Sequence, residues 1–141
     1  MPKIHDTFDL LSEGTPWWFV LSARVLPFAL FGQFLTAGLA LFRDQDLWGL
    51  HEVLGLTLTA VVGVLASGSL LVARLRGFRW WAGLTGTLFL MQVALSEPQA
   101  LAFHPVNGAL LLAASLTLLA KVERRLAQPV SPEIIHDHHA S

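Results

Sequence analysis

Cysteine is absent from this sequence of 141 residues, and charged residues are scarce. The first absence excludes disulfides, thiolate metal ligands and iron–sulfur clusters. Asp, Glu, Lys and Arg together make up only 13% of the chain, and the formal net charge is −1. Because such a chain has no general basic surface, we expect no nucleic-acid partner.

Hydrophobic residues account for 54% of the sequence, more than in a typical soluble domain. They form four segments that approach the length of about 20 residues needed to cross a bilayer. We predict membrane spans at residues 17–42, 46–73, 80–96 and 96–120, of which the third is short unless it begins at Gly77. Residues 1–13 lack the basic segment and short apolar core of a cleavable signal peptide, so insertion is expected to depend on the spans.

Four consecutive spans with short connections predict an all-α integral membrane four-helix bundle with up-down-up-down topology. We assign residues 1–126 to this transmembrane domain and residues 127–141 to a flexible tail. The tail contains His136, His138 and His139. A cluster of this kind is able to capture a divalent metal, but a mobile, solvated terminus is the expectation.

Basic residues are distributed unevenly between the connections. Three arginines lie between the second and third spans, and Lys121, Arg124 and Arg125 follow the fourth. The first and third connections contain only Arg43. By the positive-inside rule both termini face the cytoplasm, which predicts a multi-pass protein of a bacterial-type cytoplasmic (inner) membrane, surrounded by lipid.

The second and fourth spans share the pattern His-x-Val-x-Gly-x-x-Leu-x-Ala, which begins at His51 and at His104. The register continues without gaps to pair Leu65 with Leu118, so the bundle is predicted to consist of two repeated helix hairpins. Each histidine lies about 8 to 9 Å inside its predicted span. Both are expected in the outer leaflet, at matching depth.

Burying an imidazole in a membrane costs free energy unless the ring binds a ligand or a hydrogen-bond partner. Two imidazoles on facing helices are able to bind a haem iron, because the porphyrin supplies four of the six ligands. Structural zinc normally needs four protein ligands, so His51 and His104 favour noncovalent haem b. The alternatives are separate hydrogen-bonding roles for the two histidines, or a proton or quinone site.

Small and polar residues accompany both histidines. Gly55 and Gly108 lie one helical turn after them, where a missing side chain either clears space for a porphyrin or permits close helix packing. Gln33 and Gln92 occupy roughly equivalent positions in the preceding helices, which extends the repeat loosely. We predict that they bond to the histidine nitrogens or across helices.

Several polar or helix-breaking residues allow more than one interpretation. Arg43 either pairs with a haem propionate or is simply solvated. Glu52 either faces the headgroups or accepts a proton near the cofactor, and it is the one candidate catalytic residue. Arg24 either extends to the headgroups or forms an ion pair. Pro105, inside the predicted fourth helix, is expected to bend it.

The stretch Met91-Gln92-Val93-Ala94-Leu95, followed by His104-Pro105-Val106-Asn107-Gly108-Ala109-Leu110-Leu111, resembles the passage from the third to the fourth helix in the haem A synthase family. The resemblance extends over about the last hundred residues. It implies a four-helix haem module with axial histidines on its second and fourth helices, at His51 and His104. Haem A synthases join two such modules, so a small b-type membrane cytochrome is the closer description, and synthase activity is not expected.

The function predicted from the sequence is therefore electron transfer or haem-linked redox chemistry by a bis-histidine haem-b protein. Quinol or another redox protein is the expected partner, and a homodimer would imitate the double module. One alternative is a quinone-binding redox enzyme assisted by Glu52. The other is a cofactor-free membrane interaction or assembly subunit.

Overall fold

The computed structural model describes residues 14–128, and this part of the chain is 87% helical and contains no strand. The histidines of the tail lie outside the described residues. The predicted all-α class is confirmed for the described part. The helices are α1 (Trp17–Phe42), α2 (Leu47–Leu71), α3 (Arg79–Ala94) and α4 (His104–Ala127), with short 3-10 helices at Ala73–Phe78 and Leu101–Phe103.

The four helices form a bundle in which α2 and α4 lie across a diagonal, because α1 and α3 each pack against both of them. Short connections between packed neighbours reverse the chain direction at each step. We call the end formed by residues 43–46 and 95–103 the histidine end. The opposite end, which contains Ala73–Phe78, is the arginine end.

Large apolar side chains fill the interior of the bundle. Leu65 and Leu118, which the sequence repeat pairs, are both fully buried, and Phe19 and Leu111 lie in the same core. Many other large apolar side chains point outward, and Leu71 is 83% exposed. An outer surface this apolar suits contact with lipid tails.

Three helical segments are long and apolar enough to cross a membrane, namely α1, α2 and Leu101–Ala127. They have the length and composition of spans in a multi-pass membrane protein. Helix α3 has 16 residues and is about 24 Å long. Since a bilayer core is about 30 Å thick, α3 alone is shorter than a full span.

The start of the fourth helix differs from the prediction. Helix α4 begins at His104, after turns over residues 95–100 and a 3-10 helix, and Ser96 donates its hydroxyl to the carbonyl of Val93 at the end of α3. Pro105 consequently lies in the first turn, where its missing N–H costs no helical hydrogen bond. The predicted bend at an interior proline is therefore wrong.

Arginine side chains hold the arginine end together. Arg79 donates to the carbonyls of Ser69 and Leu70, which belong to the last turn of α2 and have no helical partner. Arg125 donates to the carbonyl of Arg74 at 2.7 Å. These contacts tie the connection between α2 and α3 to the C-terminal turn of α4.

Candidate functional site

The two repeated histidines meet inside the histidine end of the bundle. His51 lies in the second turn of α2, and His104 is the first residue of α4. Their ring centroids are 6.4 Å apart, and the ring planes make an angle of 59°. The fold thus brings together two half-buried imidazoles that are 53 positions apart in the sequence. Their role as metal ligands stays a prediction.

Two groups of α1 hold His51 from one side. Its Nδ1 atom lies 3.1 Å from the hydroxyl of Thr36 and 3.1 Å from the backbone carbonyl of Gln33. A carbonyl only accepts, so an Nδ1–H that donates to it leaves the Nε2 lone pair free for a ligand bond. The edge of Trp48 packs near the same ring at 5.6 Å. Sequence reasoning missed Thr36, although it lies one turn after Gln33 on the same face of α1.

His104 lacks this support. Its Nδ1 atom is buried and has no hydrogen-bond partner among the described residues. The backbone carbonyl of Gln92 faces the imidazole but does not form a hydrogen bond with Nδ1. The position that corresponds to Thr36, three residues after the glutamine, is Leu95, which has no hydroxyl.

The glutamine side chains cover the two glycines that follow the histidines. A Cβ atom on Gly55 would lie 3.6 Å from Oε1 of Gln33, an ordinary contact. A Cβ atom on Gly108 would lie 3.2 Å from Nε2 of Gln92 and 3.3 Å from the ring of Phe34. In both hairpins the space beside the glycine is therefore filled by a flexible amide side chain.

Asn107 fixes the amide of Gln92, a role that sequence reasoning missed. Its Nδ2 atom donates to Oε1 of Gln92 at 2.6 Å and to the carbonyl of Leu88 at 2.9 Å. Asn107 is the residue before Gly108 and is 4% exposed. In the first hairpin, Nε2 of Gln33 is buried with no partner among the described residues. Thus Asn107 holds the Gln92 amide, whereas the Gln33 amide has a donor with no partner among the described residues.

The charged candidates have different surroundings. Arg43 and Glu52 are exposed at the histidine end. Arg24 lies near the opposite end, where its Nε and Nη2 atoms donate to the two carboxylate oxygens of Glu123 at 2.7 and 3.1 Å. Of the two interpretations of Arg24, the ion pair is the one observed.

The described residues contain no group of three or more histidine, cysteine, aspartate or glutamate side chains able to hold a metal. Within residues 14–128 the histidine pair therefore offers two nitrogen ligands and no third protein ligand. Such a pair suits a metal that brings its remaining ligands with it, as haem iron does.

A family described as one of unknown function (DUF6220) matches residues 33–102. The matched part begins at Gln33, includes His51 and Gln92, and ends two residues before His104. No curated protein and no solved structure matches the chain. The chain is thus similar, over this stretch, to a family whose description assigns no activity.

Proposed function

We propose that this chain is an integral membrane haem-b protein whose iron would be held by His51 and His104. The observation that carries the proposal is the distance of 6.4 Å between their ring centroids. Because an imidazole nitrogen binds a metal at about 2 Å, two imidazoles that share one metal have ring centroids up to about 6.5 Å apart. The observed distance lies within this limit, so the two rings are close enough to hold one metal.

An unpaired buried donor supports a polar cofactor near the histidines. Nε2 of Gln33 is buried with no hydrogen-bond partner among residues 14–128. An unsatisfied buried group of this kind costs about 1–3 kcal/mol. A cofactor that carries carboxylates supplies acceptors for the amide N–H. Its binding would therefore remove the free-energy cost of leaving the Gln33 N–H unpaired.

The room for a porphyrin would come from the glycine positions. The amide of Gln33 covers Gly55, has an unpaired N–H among the described residues and is able to turn aside on its flexible stem. At Gly108 the Gln92 amide is held by Asn107, and the ring of Phe34 also lies against the glycine. The clearance role predicted for the glycines is therefore better supported at Gly55 than at Gly108.

Bound haem supplies a one-electron redox centre. The residues of the chain orient and enclose it: Thr36 and the Gln33 carbonyl fix the ring of His51, and the apolar bundle excludes water. Arg43 and Glu52 are exposed at the same end. Arg43 would pair with a propionate, and Glu52 would face a quinol or redox-protein partner. This placement is compatible with electron transfer.

The orientation follows from the charge at the arginine end. Six basic residues lie on the connection between α2 and α3 or near the C-terminus of α4: Arg74, Arg76, Arg79, Lys121, Arg124 and Arg125. With this end in the cytoplasm, both termini are cytoplasmic and the histidine end lies toward the outer leaflet.

The first test is a pair of visible spectra, oxidised and dithionite-reduced, of the detergent-purified protein expressed with added haem. We expect sharp reduced α and β bands and one haem per chain in a pyridine haemochrome assay. His51→Ala and His104→Ala should each remove the six-coordinate spectrum. The matched control replaces the tail residues His136, His138 and His139 by alanine and should leave the spectrum unchanged. Unchanged haem content in both single variants would contradict the proposal.

A cofactor-free interaction or assembly subunit is the second candidate. The observation that favours it is the filling of the space beside Gly55 and Gly108 by glutamine amides, which is also how polar residues pack helices together in membranes. A colourless, stably folded protein that fails to bind added haem would support this candidate and exclude the first.

A further inference from the structure

We infer that the two histidines are not equivalent: His51 is the permanent ligand, and His104 is an exchangeable ligand whose place a neutral diatomic molecule can take. This inference rests on the proposed haem site. It follows from how differently the two halves of the repeat support the two rings.

Three groups contact the ring of His51. The Thr36 hydroxyl and the Gln33 carbonyl both contact its Nδ1 atom, and Trp48 packs near the ring. Thr36 is itself only 8% exposed, and its hydroxyl donates to the Gln33 carbonyl at 3.1 Å. Helix α2 begins at Leu47, so the backbone of His51 already lies inside a formed turn. A movement of this ring would break several contacts at once.

His104 has the opposite surroundings. It is the first residue of α4 and follows a 3-10 helix whose residues Leu101 and Phe103 are more than half exposed. Its Nδ1 atom has no hydrogen-bond partner within the described part of the chain. Helix ends open more readily than helix interiors, and a ligating histidine without a partner for its second nitrogen typically binds metal 10 to 100 times more weakly. The ring of His104 is therefore the one that can leave.

One side chain accounts for much of the difference. Gln33 and Gln92 each present a backbone carbonyl to a histidine. Three residues later the first hairpin has Thr36, and the second has Leu95. A hydroxyl at residue 95 would give His104 the kind of partner that His51 already has.

The charge of the incoming molecule follows from the uncharged lining. The amide of Gln92 and the ring of Phe34 lie against Gly108, one turn from His104. Since neither group is a cation, a small neutral ligand is expected rather than an anion, which would lose its hydration without a cation to pair with. Carbon monoxide is the direct probe of this class.

The experiment compares four variants of the haem-loaded, full-length protein by spin state, haem retention and carbon monoxide binding after reduction. His104→Ala should retain haem with a five-coordinate spectrum, whereas His51→Ala should lose most of it. Leu95→Thr should weaken carbon monoxide binding by about 10-fold or more. Leu95→Val should not, because valine has the shape of threonine but lacks its hydroxyl.

The role of Thr36 as a positioning residue is tested in the same way. Thr36→Val should lower haem affinity by about 10-fold or more, and Thr36→Ser should restore it. Circular dichroism of each variant checks that the helices are retained. Rescue by serine separates a hydrogen-bonding role from a purely steric one.

The contrary results are distinct. A wild-type protein that carries haem but binds no carbon monoxide overturns the inference and leaves the haem site intact. An equal, partial loss of haem in His51→Ala and His104→Ala does the same, whereas full retention in both contradicts the proposed haem site. A wild-type protein that binds no haem overturns the proposed function itself.

Discussion

The first hairpin, α1 with α2, and the second hairpin, α3 with α4, place contacts at equivalent positions at both ends of the bundle, although the contacts at the arginine end differ in chemistry. At the histidine end, a glutamine from the first helix of each hairpin covers the glycine that follows the histidine. At the arginine end, Trp18 contacts Gly68 in the first hairpin, and Lys121 lies over the ring of Trp81 in the second. Residues 68 and 121 have the same spacing of 53 as the histidines.

The two hairpins also differ in the lengths of their helices and connections. Helices α1 and α2 have 26 and 25 residues and are joined by residues 43–46, whereas α3 has 16 residues and is followed by the longer connection 95–103. The repeat preserves the spacing of the histidine and the glycine, whereas the glutamine precedes its histidine by 18 residues in the first hairpin and by 12 in the second. The glutamine therefore reaches the same glycine position from a helix of different length and register.

The largest effect on stability is expected at the tryptophan contact of the first hairpin. In Gly68→Ala the new Cβ atom would lie 2.8 Å from two ring atoms of Trp18 and 3.4 Å from Phe19. The ring must shift, and overpacking of this kind costs about 1–3 kcal/mol. Thermal unfolding in detergent measures the loss.

Gly63→Ala is the matched control in the same helix, because a Cβ atom there meets nothing within 4 Å. It should unfold no earlier than the wild type, since alanine is the better helix former by up to about 1 kcal/mol. Equal destabilisation by both substitutions would show that the Trp18 contact is not what restricts the size of the side chain at residue 68.

The second prediction concerns the amide that only the second hairpin holds. Asn107→Leu removes two donated hydrogen bonds and leaves Oε1 of Gln92 unpaired inside the protein, at a cost of about 1–3 kcal/mol. Adding Gln92→Leu removes the unpaired acceptor, so part of the loss should be recovered. A double-mutant cycle by thermal unfolding checks this, and strictly additive losses would argue against a direct coupling.

How much of this structure the sequence predicts depends on whether the signal is local. Helix α1 has the predicted limits, since a tryptophan pair opens it and the polar group 43–46 closes it. The predicted start of the fourth helix at residue 96 is wrong. A proline suits the first turn of a helix, and Pro105 is the proline that lies there.

Contacts between distant residues are the part that the sequence does not predict. The hydroxyl of Thr36 reaches His51 across 15 residues, and nothing local distinguishes this threonine from others in apolar helices. Asn107 reaches Gln92 across a similar separation. The histidine pair itself was predictable because two copies of one pattern provide a comparison within the chain.

The smallest effect is expected where the two hairpins meet, at the ion pair of Arg24 with Glu123, which joins α1 to α4. Both side chains are about half exposed, at 54% and 43%, and salt screens exposed pairs of this kind strongly. Arg24→Gln should therefore lower the unfolding temperature only slightly, and the decrease should shrink as salt is added. Glu123→Gln is the matched variant, and a cycle of the two should show a small coupling that high salt abolishes. A large, salt-independent loss in either variant would instead mean that this contact, more than the packing within each hairpin, holds the two halves of the bundle together.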